Sequence, residues 1–417
     1  MKRNHLILLA LILVSAISVN LYYYLNRTVT LQFYAHPDKL GVMEEVITAF
    51  EEVHPRIKIN YVQLPDDTND KYDIISNKLS TQQDSIDVFD ADVTWPSIFV
   101  KSEWVANLDP FFSDDELQGY LSSAIDAATV DGMLYGIPYR IDSGVLFYRK
   151  DLLEKYNYKV PKTYSELSET ALAIKTQEPE LNGFAASWKN FEGLTCSFFE
   201  ILWSGGYDLD TNQTPYRFDT DGVDETLTLM QSMLHKDKIV SADTLNYSSG
   251  DLRAAFIEGN LLFMRDWPTG WRKLSEAPEL KDKIAVAPLP SLKPGQPSYG
   301  AFGGWMYMVS KESKHKKEAV EWIKFLTTYE NEKLMNLKYN YIPSRVALYS
   351  DEEVLGRMPF LDDMFDYFNQ SRPRPKVANY DELSLLLQSQ VHLTLQNGQS
   401  PEEAIIMLNE LLPRLLY

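Results

Sequence analysis

The chain has 417 residues, of which 45 % are hydrophobic and 24 % are charged. These fractions are typical of a globular protein, and the length exceeds what one core usually holds, so we expect two lobes or domains. With 40 basic and 59 acidic residues the formal net charge is −19, which disfavours nucleic acid and anionic lipid as partners of the folded protein. Cys196 is the only cysteine, so an intramolecular disulfide and a cysteine-rich metal site are excluded. The six histidines are scattered without metal-ligand spacing, and we predict no metal and no cofactor.

The first 26 residues are predicted to be a signal peptide or an N-terminal membrane anchor. Lys2 and Arg3 precede an uncharged apolar run over residues 6–19, which is the pattern of an export signal. Residues 16–18 fit a cleavage site, whereas the apolar run resumes and reaches about 20 residues, long enough to span a bilayer. Cleavage and retention remain alternatives, and both place the rest of the chain outside the cytoplasm.

The segment that follows alternates between strand and helix patterns. Period-2 alternation and helical spacing of apolar residues distinguish the two. The predicted elements are strands at 29–34, 57–62 and 86–89 and helices at 42–50 and 72–79. This order implies parallel pairing with right-handed crossovers, which is an α/β lobe. Ligands bind beyond the carboxyl ends of such strands, so we expect residues 90–95 to make ligand contacts.

The stretch Gly132–Asp151 is predicted to be a hinge. Two apolar runs in it indicate short strands with a bend at Ser143-Gly144. Arg140 and Asp142 lie between the runs, and because charged groups are costly in a core, we expect them to face a cleft. A helix is predicted to begin at Lys150, directly after the second run. This pattern is typical of a chain that leaves one lobe and enters another.

The remainder of the chain continues the mixed pattern. Further strands are predicted at 184–188, 261–264 and 301–309, and helices at 194–203, 222–235, 250–258, 318–326, 383–395 and 400–412. Thr163 with Glu166 predicts a capping box for one more helix. Ser400 is a predicted N-cap, followed by proline at the first helical position.

A set of short motifs runs through nearly the whole chain after residue 27. In chain order they are Phe50–Ile59, Asp92–Trp95, Trp104–Asp109, Tyr135–Asp151, Phe256–Asn260 with Trp267, Gly303–Trp305 and Gly398–Ala404. Each motif alone is weak, whereas their order and spacing together are specific. The chain resembles the family 1 extracellular solute-binding proteins of ABC sugar importers, a group similar to the maltose- and trehalose/maltose-binding proteins.

The resemblance implies a fold. It is an α/β, two-lobed periplasmic-binding-protein-like fold of type II, in which each lobe is a sheet flanked by helices and the ligand cleft lies at the hinge. The chain would cross between lobes near 139–147, 292–299 and 340–343. The predicted first lobe is 27–138 plus 299–340, and the second lobe is 139–298 plus 341–417.

A sugar site needs aromatic rings for the apolar faces of a pyranose and planar polar groups for its hydroxyls. By position and resemblance we nominate as ligand-binding residues Asp92, Trp95, Tyr139, Asp142, Trp267, Gly304, Trp305 and Arg372. The two carboxylates would accept from hydroxyls, the tryptophans at 267 and 305 would stack, and the arginine would donate.

Each nominated residue also has a purely structural alternative. Asp92 could cap the turn that follows it. Asp142 could pair with Arg140 across the hinge, and Arg372 could be a solvated surface charge. The aromatic residues could belong to the core, which is the commoner place for such side chains.

The resemblance implies a receptor without enzymatic activity. Such a protein would capture an uncharged di- or oligosaccharide, similar to maltose or trehalose, by hinge closure and deliver it to the transmembrane subunits of an ABC permease. We expect an extracytoplasmic monomer, in contact with the membrane only if the N-terminal segment is retained. A glycoside hydrolase is the alternative, because paired carboxylates beside aromatic rings also describe such an enzyme, although no acid/base pair is identifiable by spacing. A third possibility is a binding protein whose closed form is recognised by a signalling partner. Its sugar site would be the same.

Overall fold

The computed structural model describes residues 28–65, 67–81, 86–211, 215–377 and 379–415. The predicted signal peptide or anchor at residues 1–26 lies outside these ranges. Within them, no helix combines the length and the apolar composition that crossing a bilayer requires.

Strands and helices alternate along the described chain. The strands are β1 (Val29–Ala35), β2 (Ile57–Gln63), β3 (Val88–Asp92), β4 (Thr129–Val130), β5 (Met133–Leu134), β6 (Gly136–Ser143), β7 (Val145–Arg149), β8 (Asn182–Ala185), β9 (Leu209–Asp210), β10 (Arg217–Phe218), β11 (Leu261–Asp266), β12 (Ile284–Ala287), β13 (Ala301–Val309) and β14 (Arg372–Pro373). The α-helices are α1 (Val42–Val53), α2 (Thr68–Thr81), α3 (Pro96–Lys101), α4 (Asp114–Leu117), α5 (Ser122–Ala127), α6 (Lys150–Lys155), α7 (Tyr164–Lys175), α8 (Glu192–Ser204), α9 (Thr220–Gln231), α10 (Ser249–Ile257), α11 (Trp271–Ser275), α12 (Lys316–Leu326), α13 (Tyr329–Tyr339), α14 (Glu352–Arg357), α15 (Phe365–Asn369), α16 (Tyr380–Leu395) and α17 (Pro401–Leu415).

The chain divides into two compact units, and the smaller one comprises the described residues up to Asp90 together with Met308–Leu326. In this unit β1 pairs in parallel with both β2 and β3, which confirms the predicted parallel arrangement. The ring of Trp322 packs against Phe33 and Phe50 at centroid distances of 5.5 and 4.8 Å. The first helix therefore packs with α12 on an aromatic core that covers the sheet.

The larger unit comprises Ala91–Tyr307 and the chain from Thr327 onward. Its four-stranded sheet has the order β12-β7-β11-β8. The pairs of β7 with β12 and with β11 are antiparallel, whereas β11 and β8 are parallel. In the same unit β13 pairs with β6, and its first residue, Ala301, is in parallel register with Arg372 of β14.

The predicted bend at Ser143-Gly144 is confirmed, because β6 ends at Ser143 and β7 begins at Val145. The backbone N–H of Ile141 donates to the carbonyl of Ile342 at 2.9 Å. Two of the segments that the sequence predicts as lobe crossings therefore lie side by side.

The predicted capping box of α7 forms in a modified way. The Thr163 hydroxyl accepts from the backbone N–H of Glu166 at 3.1 Å. The Glu166 carboxylate accepts from Lys162 at 2.7 Å, one residue earlier than a capping box requires. The helix start is therefore where the sequence places it, with a different return bond.

Two strands extend further than the sequence predicts, β3 to Asp92 and β11 to Asp266. The strands predicted at 86–89 and 261–264 end before Asp90 and Arg265. In the structure Arg265 and Asp266 are fully buried and each has an ion partner. Asp92 is accordingly the last residue of its strand, not a residue beyond it.

Candidate functional site

All eight nominated residues lie in the larger unit. Asp142, near the end of β6, is half-buried, and its carboxylate accepts only long hydrogen bonds, from the Thr269 hydroxyl at 3.3 Å and from the backbone N–H of Ser143 at 3.2 Å. Burial raises the pKa of this carboxyl to about 7, although Arg140 and Arg253 oppose the shift. Asp142 thus has little of the hydrogen bonding that an ionised carboxylate seeks.

Trp267 follows β11 and is partly buried against the core of the larger unit. The guanidinium carbon of Arg265 lies 4.2 Å from the centroid of its ring. A Cβ atom at Gly303 would lie 3.3 Å from the Trp267 ring and 3.4 Å from the Cβ of Asp142. The missing side chain at this position of β13 therefore leaves room for both the indole and the Asp142 side chain beside the strand.

Gly304 has a φ of 132°, and a Cβ atom there would lie 2.5 Å from the carbonyl oxygen of Arg140. Only glycine tolerates this combination of backbone conformation and close approach. The carbonyl of Gly304 accepts from the backbone N–H of Val93 at 3.3 Å. In the structure Gly304 acts through its backbone. It allows β13 to approach β6 closely and bonds to the residue that follows β3.

Trp95 and Trp305 form an edge-to-face pair with a centroid distance of 5.5 Å and an interplanar angle of 80°. They are only 5 % and 8 % exposed. The guanidinium carbon of Arg140 lies 5.5 Å from the Trp305 ring. These two rings are therefore in contact with each other, and little of their surface reaches solvent.

Tyr139 lies in β6 and is 6 % exposed. Its ring stacks on Tyr307 at 4.2 Å with an interplanar angle of 14°. Arg140 covers Tyr341 at 4.2 Å. One face of the Tyr139 ring is therefore covered by Tyr307. This contact is sufficient to explain the position of the ring without a ligand.

Asp92 caps the turn after β3. Its Oδ1 accepts from the backbone N–H and the hydroxyl of Thr94 at 3.0 and 2.8 Å, which is the structural alternative that the sequence left open. The same oxygen lies 3.6 Å from Nη2 of Arg374, and the Asp92 side chain is 17 % exposed.

Arg372 and Arg374 have different environments. Arg372 pairs with Asp208 and covers the ring of Trp203 at 5.0 Å. Arg374, which the sequence analysis did not nominate, pairs with Glu192 at 2.7 Å and lies beside Asp92. Residues two apart in an extended segment point to the same side, so the sequence pattern Arg-Pro-Arg does not distinguish which of the two arginines approaches a given carboxylate.

Two buried ion pairs in this region were also missed. Arg253 donates to Asp266 at 2.5 Å, and Arg265 donates through two nitrogens to Glu200. The available signal was the pair Arg265-Asp266 inside an apolar strand pattern, because buried charges require partners. Among the residues that the structure describes, no cluster of His, Cys, Asp and Glu has the arrangement of a metal site.

Comparison with known proteins gives a consistent result. The family model described as "Bacterial extracellular solute-binding protein" matches residues 36–333. A probable ABC transporter-binding protein of Deinococcus radiodurans is 29 % identical over 367 residues, 86 % of this chain and 86 % of the relative. The arabinooligosaccharide-binding protein of Bacillus subtilis is 24 % identical and covers 76 % of this chain and 73 % of its own length.

The solved structure of maltose-bound MalE3 of T. maritima is 32 % identical and superposes with a TM-score of 0.80 over 93 % of this chain and 100 % of that one. This confirms the predicted α/β, two-lobed periplasmic-binding-protein-like fold. These relatives are binding proteins and not enzymes. The glycoside hydrolase alternative therefore has no support.

Proposed function

The chain belongs to the family of bacterial extracellular solute-binding proteins, and from this premise we propose that it binds an uncharged di- or oligosaccharide and delivers it to an ABC permease. Maltose is the ligand named for MalE3 of T. maritima, and arabinooligosaccharides are those named for the relative from Bacillus subtilis. The proposal accordingly covers short oligosaccharides, with maltose- and trehalose-like sugars as the first candidates.

The observation that carries the proposal is that Trp267 and Asp142 both lie beside Gly303, where a Cβ atom would be 3.3 Å from the indole and 3.4 Å from the Cβ of Asp142. An indole provides a broad apolar surface for the C–H face of a pyranose ring. A half-buried carboxylate supplies strong acceptors for hydroxyl groups at the ring edge. One face of the indole lies on the Arg265 guanidinium, so the opposite face would receive the sugar.

We propose that the ligand is uncharged because of the ion pairs near Asp142, Trp267 and the other nominated residues. Each of the arginines concerned has a carboxylate partner within the chain. The pairs are Arg253 with Asp266, Arg265 with Glu200, Arg372 with Asp208 and Arg374 with Glu192. The charge of these four arginines is thus already compensated, so an anionic ligand that approached them would have to displace a carboxylate.

We propose that Asp92, Trp95, Tyr139, Gly304, Trp305 and Arg372 act around this centre, and that Arg374 contributes beside Asp92. The contacts of Asp92 and Arg372 with their own chain imply a weaker role for them than for Asp142. Tyr139, Trp95 and Trp305 would act chiefly by holding the shape of the site.

The family places the protein on the extracellular side of the membrane, with a sugar and a permease as its partners. We further propose that it acts as a monomer, held at the membrane if residues 1–26 are retained. Capture would proceed by closure of the two lobes that the sequence predicts, 27–138 plus 299–340 and 139–298 plus 341–417. Closure requires that the sugar bind the closed form more tightly than the open one.

Isothermal titration calorimetry of the purified protein with maltose, maltotriose, trehalose and arabinotriose tests the proposal. We expect saturable binding of at least one of them, and a ligand at 100 times its Kd should add about 2.7 kcal/mol to the free energy of unfolding. Maltobionate, which carries a carboxylate, is the matched control and should bind more weakly than maltose. Failure of every neutral sugar to bind, or release of monosaccharide during overnight incubation, would contradict the proposal.

A further inference from the structure

A fully buried ion pair joins helix α8 to strand β11. Arg265 Nε donates to Glu200 Oε2 at 2.8 Å, and Nη2 donates to the other carboxylate oxygen. The two side chains are 2 % and 1 % exposed. This bidentate geometry fixes the plane of the guanidinium group, since a planar fork matches a carboxylate in one orientation.

The ordered guanidinium group is the surface on which Trp267 rests, with its carbon 4.2 Å from the ring centroid. On its other side the pair supports strand β13, because Glu200 Oε1 also accepts from the backbone N–H of Ala301 at 3.0 Å. Gly303, where a Cβ atom would lie 3.3 Å from Trp267 and 3.4 Å from Asp142, follows in the same strand. One carboxylate therefore connects the indole to the strand beside it.

The bend between β6 and β7 also packs on this pair. A Cβ atom at Gly144 would lie 1.9 Å from Glu200 Oε1, so only glycine fits there. The carbonyl of Gly144 accepts from the Tyr367 hydroxyl at 2.7 Å, and the Ser143 hydroxyl lies 2.8 Å from that of Ser371. The bend that follows Asp142 is thus held against Glu200.

Stability alone gives a poor account of the pair. A buried ion pair is often no better for stability than apolar side chains of the same volume. Within the described chain, Arg265 Nη1 is buried without a hydrogen-bond partner, which is itself unfavourable. The arrangement is better explained by the geometry that it imposes on its neighbours.

We propose that Glu200 and Arg265 are positioning residues for sugar recognition, which set the plane of the Trp267 ring relative to Asp142. The inference rests on the proposed function. The pair does not touch the sugar; it acts through the indole and through the two backbone segments that it holds.

The test uses the double variant Glu200→Gln/Arg265→Met. It removes both charges together, keeps an acceptor for Ala301 and deletes the guanidinium under the ring, so no lone buried charge is left to unfold the protein. We expect the affinity for maltose, or for whichever sugar of the panel binds the wild type, to fall at least tenfold. The second variant, Arg265→Lys, keeps the charge and loses the planar contact, and should show a similar loss.

The matched control is Arg149→Met/Asp151→Asn. It removes another bidentate pair, with contacts of 2.8 and 2.6 Å, at the far end of β7. Its affinity for the sugar should equal that of the wild type. A double-mutant cycle supplies the decisive readout, because in a Trp267→Phe background the Glu200→Gln/Arg265→Met change should cost much less affinity than in the wild type.

The outcomes separate the two proposals. If no sugar binds the wild-type protein, the proposed function fails. If the wild type binds and the variants keep its affinity within twofold while only their melting temperature changes, the pair is structural and this inference is wrong. Equal losses with and without Trp267 would also contradict it, since the pair would not act through the indole.

Discussion

The ends of β6 and β3 each carry a nominated carboxylate, and the two surroundings differ. At the end of β3, Asp92 is used by its own chain, because one oxygen accepts two hydrogen bonds from Thr94 and lies beside Arg374. Near the end of β6, Asp142 receives two longer bonds, from the Thr269 hydroxyl at 3.3 Å and from the backbone N–H of Ser143 at 3.2 Å, and its pKa is raised to about 7.

The difference indicates how to weigh polar residues that follow strands. A carboxylate whose oxygens already accept good hydrogen bonds from its own chain contributes to local structure. A buried carboxylate with few such bonds is a candidate for ligand contact. By this criterion the Asp142 region is the centre of the site and the Asp92 region is its periphery. Substitutions in the Asp142 region should therefore reduce sugar affinity more than substitutions in the Asp92 region.

The largest effect is expected for Trp267→Ala. Truncation of an aromatic anchor in a binding site costs about 2 kcal/mol or more, which is roughly thirtyfold in affinity. Titration with the sugar that binds the wild type should show this loss. The partial burial of Trp267 implies that the melting temperature changes less than for a core tryptophan.

Trp271→Ala is the control for this variant. Trp271 lies four residues further along the chain, packs against Phe360 at 5.2 Å and donates to the carbonyl of Arg357 at 3.0 Å. It should reduce stability and leave sugar affinity unchanged. If both variants lose affinity equally, the loss reflects general destabilisation and the Asp142 region loses its priority.

Asp142→Asn should give the next largest effect. The substitution keeps the shape and replaces one strong acceptor by a donor, so binding should weaken by about 1.5–3 kcal/mol, the range for hydrogen bonds to charged groups. That is at least tenfold in Kd, measured by titration at a pH of about 8. Removing a buried charge should also leave the ligand-free protein as stable as the wild type or more stable, and a clear loss of stability would count against this assignment.

The raised pKa of Asp142 predicts a pH dependence with a defined sign. In the folded state the carboxyl holds its proton up to about pH 7, whereas the unfolded chain releases it near 3.8. The free energy of unfolding of the ligand-free protein should therefore fall as pH rises from about 4 to 7, relative to Asp142→Asn.

Sugar affinity should show the opposite trend if the ionised carboxylate accepts the hydroxyls. Between about pH 8 and pH 6 the Kd of the wild type should rise by up to about tenfold, while that of Asp142→Asn stays constant. Parallel pH profiles for the two proteins would show that another group titrates.

Much of the fold could be predicted from the sequence, because hydrophobic periodicity reports directly on which side of a strand or helix is buried. The strand β13 was located to the residue, and the hinge strands were separated at the correct bend. Two strands were predicted to end too early, each before a charged residue, and the strand predicted at 184–188 is Asn182–Ala185 in the structure. Arg265 and Asp266 are compatible with a buried strand only because Glu200 and Arg253 neutralise them, and those partners are distant in sequence.

The candidate site could be predicted less completely for the same reason. Glycine at 304 and the indole at 267 follow from local pattern and resemblance, whereas the choice between Arg372 and Arg374 depends on their distant partners, Asp208 for the first and Glu192 for the second. Residues two apart in an extended segment share a side, so periodicity does not distinguish the two arginines. Long-range pairing, and not composition, decides such cases.

The smallest effect is expected for Asp92→Asn, which examines the periphery of the site. An asparagine oxygen can still accept both bonds from Thr94, so the turn after β3 should persist and the melting temperature should change little. The lost charge weakens only the contact with Arg374 at 3.6 Å, and that arginine keeps Glu192 as its partner. We therefore expect affinity to fall by about threefold, or less than about 1 kcal/mol, as for exposed or partly compensated pairs. Asp92→Ala removes the cap as well and should lower the free energy of unfolding by about 1 kcal/mol. A loss for Asp92→Asn as large as that for Asp142→Asn would mean that Asp92 binds the sugar directly in spite of its bonds to the chain, and the order of the two regions would be reversed.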